Sequence, residues 1–163
     1  MIGLIVIREL PADVWRDLLE NRVLLSAVTA WLVAQIAKTI INAIVNKTWD
    51  FKRLVGDGGM PSAHSATVAA TAAAAMIDYG VGSFQFALAF VMATIVIHDA
   101  TNVRLESSKH AKALNEIIEM LSADYELSDE EKFKELLGHT KLQVFFGVLT
   151  GILVAVIMCM IIK

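Results

Sequence analysis

The sequence predicts an all-α membrane bundle of about four spans with a helical loop on one side. Three observations predict it. The 163-residue chain is 56% hydrophobic and only 19% charged, with a mean hydropathy of +0.61, too apolar for an ordinary soluble domain. Four apolar stretches, roughly 23–45, 61–80, 84–102 and 140–162, approach the ~20 residues that a helix needs to cross a hydrocarbon core. Two prolines and 7% aromatic residues leave little for an all-β design. Fully buried soluble helices rarely come in fours, so the membrane reading leads. The length fits a single domain over 1–163.

The elements follow in order. Residues 1–7 are too short to span a bilayer, and Arg8, Glu9 and Pro11 follow without a small-residue cleavage site, so no signal peptide is read. A short amphipathic helix is expected over 11–21, with Val14, Leu18 and Leu19 on one face. The first span carries Gln35, Lys38, Asn42 and Asn46, whose spacing puts them on one stripe. Polar groups in lipid face the bundle interior, and Lys38 lies well inside the span. It reads either as a snorkelling surface cation or as a cation held for an anion. The second span, rich in Ala and Thr, opens at Pro61, and the third runs over 84–102. The polar region 103–139 is not featureless: Leu114, Ile117, Ile118 and Leu121 repeat at helical spacing, predicting a helix over 109–122. Ser128 and Glu131 form a capping box for another helix, stopping at Gly138. In the last span His139, Gln143, Gly147 and Gly151 sit four apart, and the Gly-x-x-x-Gly face reads as a close helix contact.

Residues 56–67, G-D-G-G-M-P-S-A-H-S-A-T, carry the strongest chemical signal. A diglycine leads into Pro61, a favoured first helical residue, then Ser62, His64 and Ser65. The free N–H groups and positive dipole end of such a helix attract phosphate. With four spans, loops 46–60 and 103–139 fall on one membrane face, so Lys52, Arg53, the 61–64 junction, Asp99, Arg104 and His139 converge there. Phosphoryl transfer needs this set: cations for the phosphate oxygens, a nucleophile, and an acid for the leaving oxygen. Lys38, Ser62, His64, Arg104 and His139 are therefore expected around one pocket. A rival metal reading would use His64, His98, Asp99 and His139, without a metalloprotease-type motif behind it. Cys159 stands alone, giving no disulfide framework or thiolate zinc site, and a net charge of −3 carries no nucleic-acid signature. Lys47, Lys52, Arg53, Arg104, Lys109, Lys112, Lys132 and Lys134 lie on the motif side, against Arg8, Arg16, Arg22 and Lys163 on the other. The positive-inside rule then places the motif face in the cytoplasm.

With G-G-M-P-S-A-H-S-A-T, H-D-A-T-N-V-R, A-L-N, E-L-L-G-H-T and Q-V-F-F-G-V-L-T-G in order, the chain from about Ala34 to Gly151 resembles the divergent branch of the type 2 phosphatidic acid phosphatases. These are also described as acid phosphatase/vanadium-dependent haloperoxidase-related membrane proteins. The wider superfamily carries K-x6-R-P, P-S-G-H and S-R-x5-H-x3-D. There the last His attacks phosphorus, the middle His protonates the leaving group, and Lys, Arg and Ser hold the phosphate. By this resemblance His139 is the nucleophile and His64 the acid; Lys38 and Ser62 bind phosphate, with Arg104 or Arg53 as a charge from another position and Arg104 taken in the mechanism. Asp99 orients a histidine or pairs with Arg104. The sequence departs from the pattern at three places. No R-P follows Lys38, Gln143 stands where the third motif has Asp, and Phe133 stands where it has Arg.

The resemblance implies a phosphoric monoester hydrolase acting on a phosphorylated lipid through a phosphohistidine, with no cofactor or metal. The alternatives are a non-catalytic membrane scaffold or anionic-lipid-binding protein on the same fold, and a vanadate-binding haloperoxidase. A homo-oligomer is compatible with the sequence, which fixes no stoichiometry.

Overall fold

The computed structural model describes residues 13–47, 59–121, 133 and 139–162. They form six α-helices: α1 (Asp13–Glu20), α2 (Arg22–Asn46), α3 (Ala63–Tyr79), α4 (Phe84–His98), α5 (Arg104–Leu121) and α6 (Lys141–Ile161). A π-helical turn, Asp99–Val103, joins α4 to α5. The described residues contain no strand, so the protein is an all-α bundle, as expected.

Local signals set the ends of these helices. Asn21 breaks α1 from α2, its side chain accepting the Leu24 N–H at 3.0 Å. Ser62 caps α3 through the Ser65 N–H at 3.3 Å, and Gly80, at φ 78, ends it. Ser83 caps α4 through the Phe86 N–H at 3.1 Å. Each cap satisfies a helix-end donor that would otherwise be orphaned. Pro61 therefore precedes α3 rather than opening it, because the Ser62 hydroxyl takes the cap position.

Among the described residues three helical runs are long and apolar enough to cross a membrane: Arg22–Asn46, Phe84–Met120 and Lys141–Ile161. The remaining expected span, the second, is α3, which has only 17 residues, about 25 Å of helix against ~30 Å of hydrocarbon. It is the central helix, with α2, α4 and α6 all packed against it. That position shields it from lipid and explains its Ala-rich composition. The expected break between 102 and 109 is also absent. The π turn carries α4 directly into α5, so the third span and the helix beyond it form one run. The Ser128 capping box and the helix ending at Gly138 lie outside the described residues.

The packing is that of a bilayer protein. The core is built from Ala30, Ala34, Ala63, Ala66, Ala70, Ala73, Ala74 and Ala155, while Ile36, Ile44, Phe90, Ile95, Phe145 and Leu153 are exposed. In water such a surface would aggregate. In lipid, helices gain nothing by hiding large apolar side chains from one another, so small residues that permit close approach hold the interface. Gly147 and Gly151 do this between α6 and α3. A Cβ on Gly147 would stand 2.5 Å from the Ser62 carbonyl oxygen, and one on Gly151 would run into the Ala66 carbonyl. These contacts rise together along the chain, so α3 and α6 are parallel. Arg22, at the start of α2, pairs with Asp78, near the end of α3, at 2.9 Å, and also reaches the Ile162 carbonyl beyond α6 at 3.4 Å. Thus α2 runs antiparallel to both. The C-terminus of α2 and the N-termini of α3 and α6 consequently gather at one end of the bundle.

Candidate functional site

That end holds the two histidines of interest. His64 lies in the first turn of α3 and is exposed; His139 precedes α6 and is only 5% exposed. Their ring centroids are 6.4 Å apart, tilted by 49°. This is inside the ~10 Å beyond which two groups cannot both reach one phosphoryl group by hydrogen-bond-length contacts.

His139 is fixed from three elements. Its N–H donates to the Ala100 carbonyl of the π turn at 3.1 Å. Its Nδ1 lies 3.3 Å from Gln143 Oε1. Thr140 caps α6 in a reciprocal capping box with Gln143: the Gln143 N–H donates to Thr140 Oγ1 at 3.3 Å, and the Thr140 N–H donates to Gln143 Oε1 at 3.0 Å. Finally, the Ser62 N–H donates to the Gln143 carbonyl at 3.0 Å, joining the α3 start to the first turn of α6. The T-x-x-Q spacing of 140–143 is a capping-box signature in its own right, and it is the signal by which sequence reasoning could have found this contact.

Ser62 is fully buried, and its hydroxyl oxygen accepts from both the Ser65 N–H and, at 3.0 Å, the Ser65 hydroxyl. The Ala66 N–H donates to the Ser62 carbonyl. The cap thus uses two donors of the first turn and leaves the N–H groups of Ala63 and His64 at the positive end of the helix dipole.

Lys38 is 4% exposed, so the stripe is interior at Gln35 and Lys38, but it comes to the surface further along, where Asn42 is half-buried and Asn46 exposed. Gln35 is 6% exposed, Thr39 donates to the Gln35 carbonyl, and further along Asn46 donates to Asn42 Oδ1 at 2.6 Å. Gly59 was seen in sequence only as part of a diglycine. Its φ is +86, and a Cβ there would sit 2.8 Å from Lys38 Cγ and 3.0 Å from Cδ. A glycine alone combines that backbone with room for the lysine stem. Three residues before Ser62, it lays the stem of Lys38 against the segment that leads into α3.

Arg104 and Asp99 take a different place. Arg104 Nε donates to Asp99 Oδ2 at 2.7 Å, with the two side chains 50% and 40% exposed. The residues are five apart, a spacing that the π register brings back onto one face. Of the two roles expected for Asp99, pairing with Arg104 is the one its geometry adopts. The arginine adjoins the turn that holds His139, and its guanidinium turns to Asp99. Lys52 and Arg53 lie outside the described residues.

A groove of about 570 Å³ between α2, α3 and α4, lined by Leu24, Thr71, Tyr79 and Leu88 among others, opens toward the opposite end, away from the histidines. Among the described residues no group of three or more His, Cys, Asp or Glu is arranged to hold a metal, so His98 and Asp99 do not join the two histidines as a ligand set. Asn115, in the A-L-N motif, is 3% exposed. It grips the Phe133 backbone from both sides, accepting its N–H at 3.0 Å and donating to its carbonyl at 3.1 Å. Position 133, where the superfamily motif has Arg, is therefore tied to α5 through its main chain.

Residues 19–154 match the model of the divergent PAP2 family. The chain belongs to this family. The match takes in α2 through α5 whole and most of α6, and so every residue of the histidine end. The chain is also 36% identical over 152 residues to the uncharacterized membrane protein YuiD of Bacillus subtilis (strain 168), covering 87% of this chain and 96% of that protein. No solved structure matches it. Membership of the family and the apolar helices establish an integral membrane protein.

Proposed function

We propose that the protein is a lipid-phosphate phosphatase that works through a phosphohistidine at the face of the membrane. The observation that carries this reading is the pairing of His64 and His139 rings at 6.4 Å beside the capped start of α3, with Lys38 and Ser62 buried nearby. A ring nitrogen of His139 attacks phosphorus and forms the N–P bond. The P–O bond to the lipid breaks, and His64 gives its proton to the departing oxygen. Water then attacks phosphorus, passes a proton to His64, and displaces inorganic phosphate from His139. Lys38 supplies positive charge where little water competes, which strengthens its pull on the phosphoryl oxygens. The Ala63 and His64 N–H groups add the dipole end of α3. Arg104, held by Asp99, contributes by reaching past its partner to an arriving anion.

The substrate class follows from the setting: a phosphate ester whose apolar part stays in the bilayer while its head enters between the helix ends. The charge bias favours the cytoplasmic side. The test is phosphate release from a panel of lipid phosphates by detergent-purified protein. His139→Ala should abolish turnover. His64→Ala should slow it about 10²–10⁴-fold on poor leaving groups and least on an activated ester, which departs without a proton. Equal losses on both esters would remove His64 from the acid role. The second reading is an anionic-lipid-binding scaffold, favoured by the neutral Gln143 beside His139 and by the engagement of Arg104 with Asp99. Headgroup binding without release of phosphate from any lipid would decide for it.

A further inference from the structure

The groove over α3, between the starts of α2 and α4, is walled by Val23, Leu24, Val68, Ala75, Leu88 and Met92 among others, and its volume is about 570 Å³. That size suits a small-molecule or lipid ligand. Along α3 it runs from Val68 to Tyr79, about 16 Å of helix. One leaflet of hydrocarbon is about 15 Å deep, half of the ~30 Å core. The groove therefore reaches from the membrane face opposite the histidines to the middle of the bilayer. It opens to lipid, because Leu88 and Met92 on its rim are half exposed. Thr71 within it already donates to the Thr67 carbonyl at 2.8 Å, so the slot offers little to water or to a polar ligand.

Its mouth is polar. Asn21 and Tyr79 line the groove and also a neighbouring cavity of about 370 Å³, whose other walls are Asp17, Glu20, Arg22 and Asp78. Three carboxylates face one guanidinium there. The C-terminal ends of α1 at Glu20 and α3 at Tyr79 add the negative ends of two helix dipoles. Arg22 is engaged with Asp78 at 2.9 Å and with the Ile162 carbonyl at 3.4 Å. Even so, Asp78 Oδ1, on a side chain 10% exposed, receives no aligned hydrogen bond among the described residues. Glu20 meets the exposed Arg16 at 3.1 Å, and Asp17 makes no ion pair among the described residues.

We infer that the groove and its mouth form a lipid site in the leaflet opposite the histidines, with one acyl chain in the slot and a primary ammonium headgroup in the mouth. The occupant follows from shape and charge together. An apolar slot one leaflet deep, capped by an acidic cavity, matches a chain joined to a cationic head. A primary ammonium has N–H groups to donate to Asp17, Glu20 and the unsatisfied Asp78 oxygen. A quaternary ammonium has none, and an anionic head would meet like charge. The phosphate that links such a head to its glycerol lies toward Arg22 and the start of α2, where the dipole end is positive. The site rests on the membrane bundle alone and is independent of the phosphatase reading.

The test reads binding and not turnover, so an inactive protein leaves it intact. Delipidated full-length protein in detergent micelles is titrated with phosphatidylethanolamine, phosphatidylcholine and phosphatidylglycerol of identical acyl chains. Native mass spectrometry counts the bound lipid. The ethanolamine lipid should bind about fivefold tighter than either of the others, the scale of one or two exposed charge contacts. Asp17→Asn combined with Glu20→Gln changes two exposed side chains; it should cancel the preference and leave chain binding in place. Leu88→Trp fills the slot from an exposed position and should remove the bound lipid whatever its head. Equal affinity for the three lipids, or a preference that survives Asp17→Asn with Glu20→Gln, overturns the headgroup assignment. Binding that Leu88→Trp leaves untouched, or no bound lipid at all, means that the slot has another occupant, such as a second copy of the chain, and overturns the site.

Discussion

Gly147→Ala is the sharpest perturbation of the contact that builds the site. The added Cβ would stand 2.5 Å from the Ser62 carbonyl oxygen and 3.0 Å from Ser65 Cβ. The obstacle is helix backbone, which cannot turn aside as a flexible side chain can. To bring that contact to the 3.4 Å where it becomes ordinary, α6 and α3 must separate locally by nearly 1 Å. Overpacking of this kind costs about 1–3 kcal/mol. The better helix propensity of alanine offsets at most ~1 kcal/mol of that, leaving a net loss of up to about 2 kcal/mol when the offset is complete. The same displacement lengthens the Ser62 N–H to Gln143 carbonyl bond and pulls His139 from His64. A misplacement near 1 Å costs about 10²-fold in rate. Denaturant unfolding in mixed micelles measures the first effect and lipid-phosphate turnover the second. Gly82→Ala is the control, since its Cβ would meet nothing within 4 Å. Stability and turnover of Gly147→Ala indistinguishable from Gly82→Ala would refute the argument that this approach sets the site.

The remaining expectations test other parts of the bundle. Gly59→Ala forces a side chain onto a φ of +86 and against the Lys38 stem; it should cost about 1–2 kcal/mol and weaken inorganic phosphate binding, measured by calorimetry, more than Gly82→Ala does. Asp78→Asn breaks the pair with Arg22, whose side chains are 10% and 33% exposed, and should destabilise by roughly 1–3 kcal/mol, with a double-mutant cycle against Arg22→Ala showing coupling; additive losses would mean that the pair does not act as one. Gly56→Cys should resist membrane-impermeant thiol reagents in intact cells and react after permeabilisation; labelling from outside would reverse the proposed sidedness.

The fold class and the motif positions were legible in the sequence because both follow from local pattern. Long apolar runs can be satisfied only by helices in lipid, where every backbone group needs an internal partner. The spacing of Gln35 and Lys38 places them on one helical face whatever the neighbours are, and Gly147 with Gly151 marks a close contact before its partner is known. Other features were decided by assembly. That α3 is the shielded centre of the bundle depends on which helices surround it, and its length alone does not say so. The fusion of α4 and α5 through a π turn is a register shift with no composition of its own, yet the turn supplies the carbonyl that holds His139. The value of Gly59 emerged only when Lys38 was found against it. Sequence by itself determined a helical membrane protein with two histidine motifs on one face. Tertiary structure decided that the His64 and His139 rings come within 6.4 Å and that Gly59 lies against Lys38, because these contacts join distant segments and are set by how closely the helices pack, whereas Arg104 with Asp99 and Gln143 with His139 are neighbours five and four residues apart.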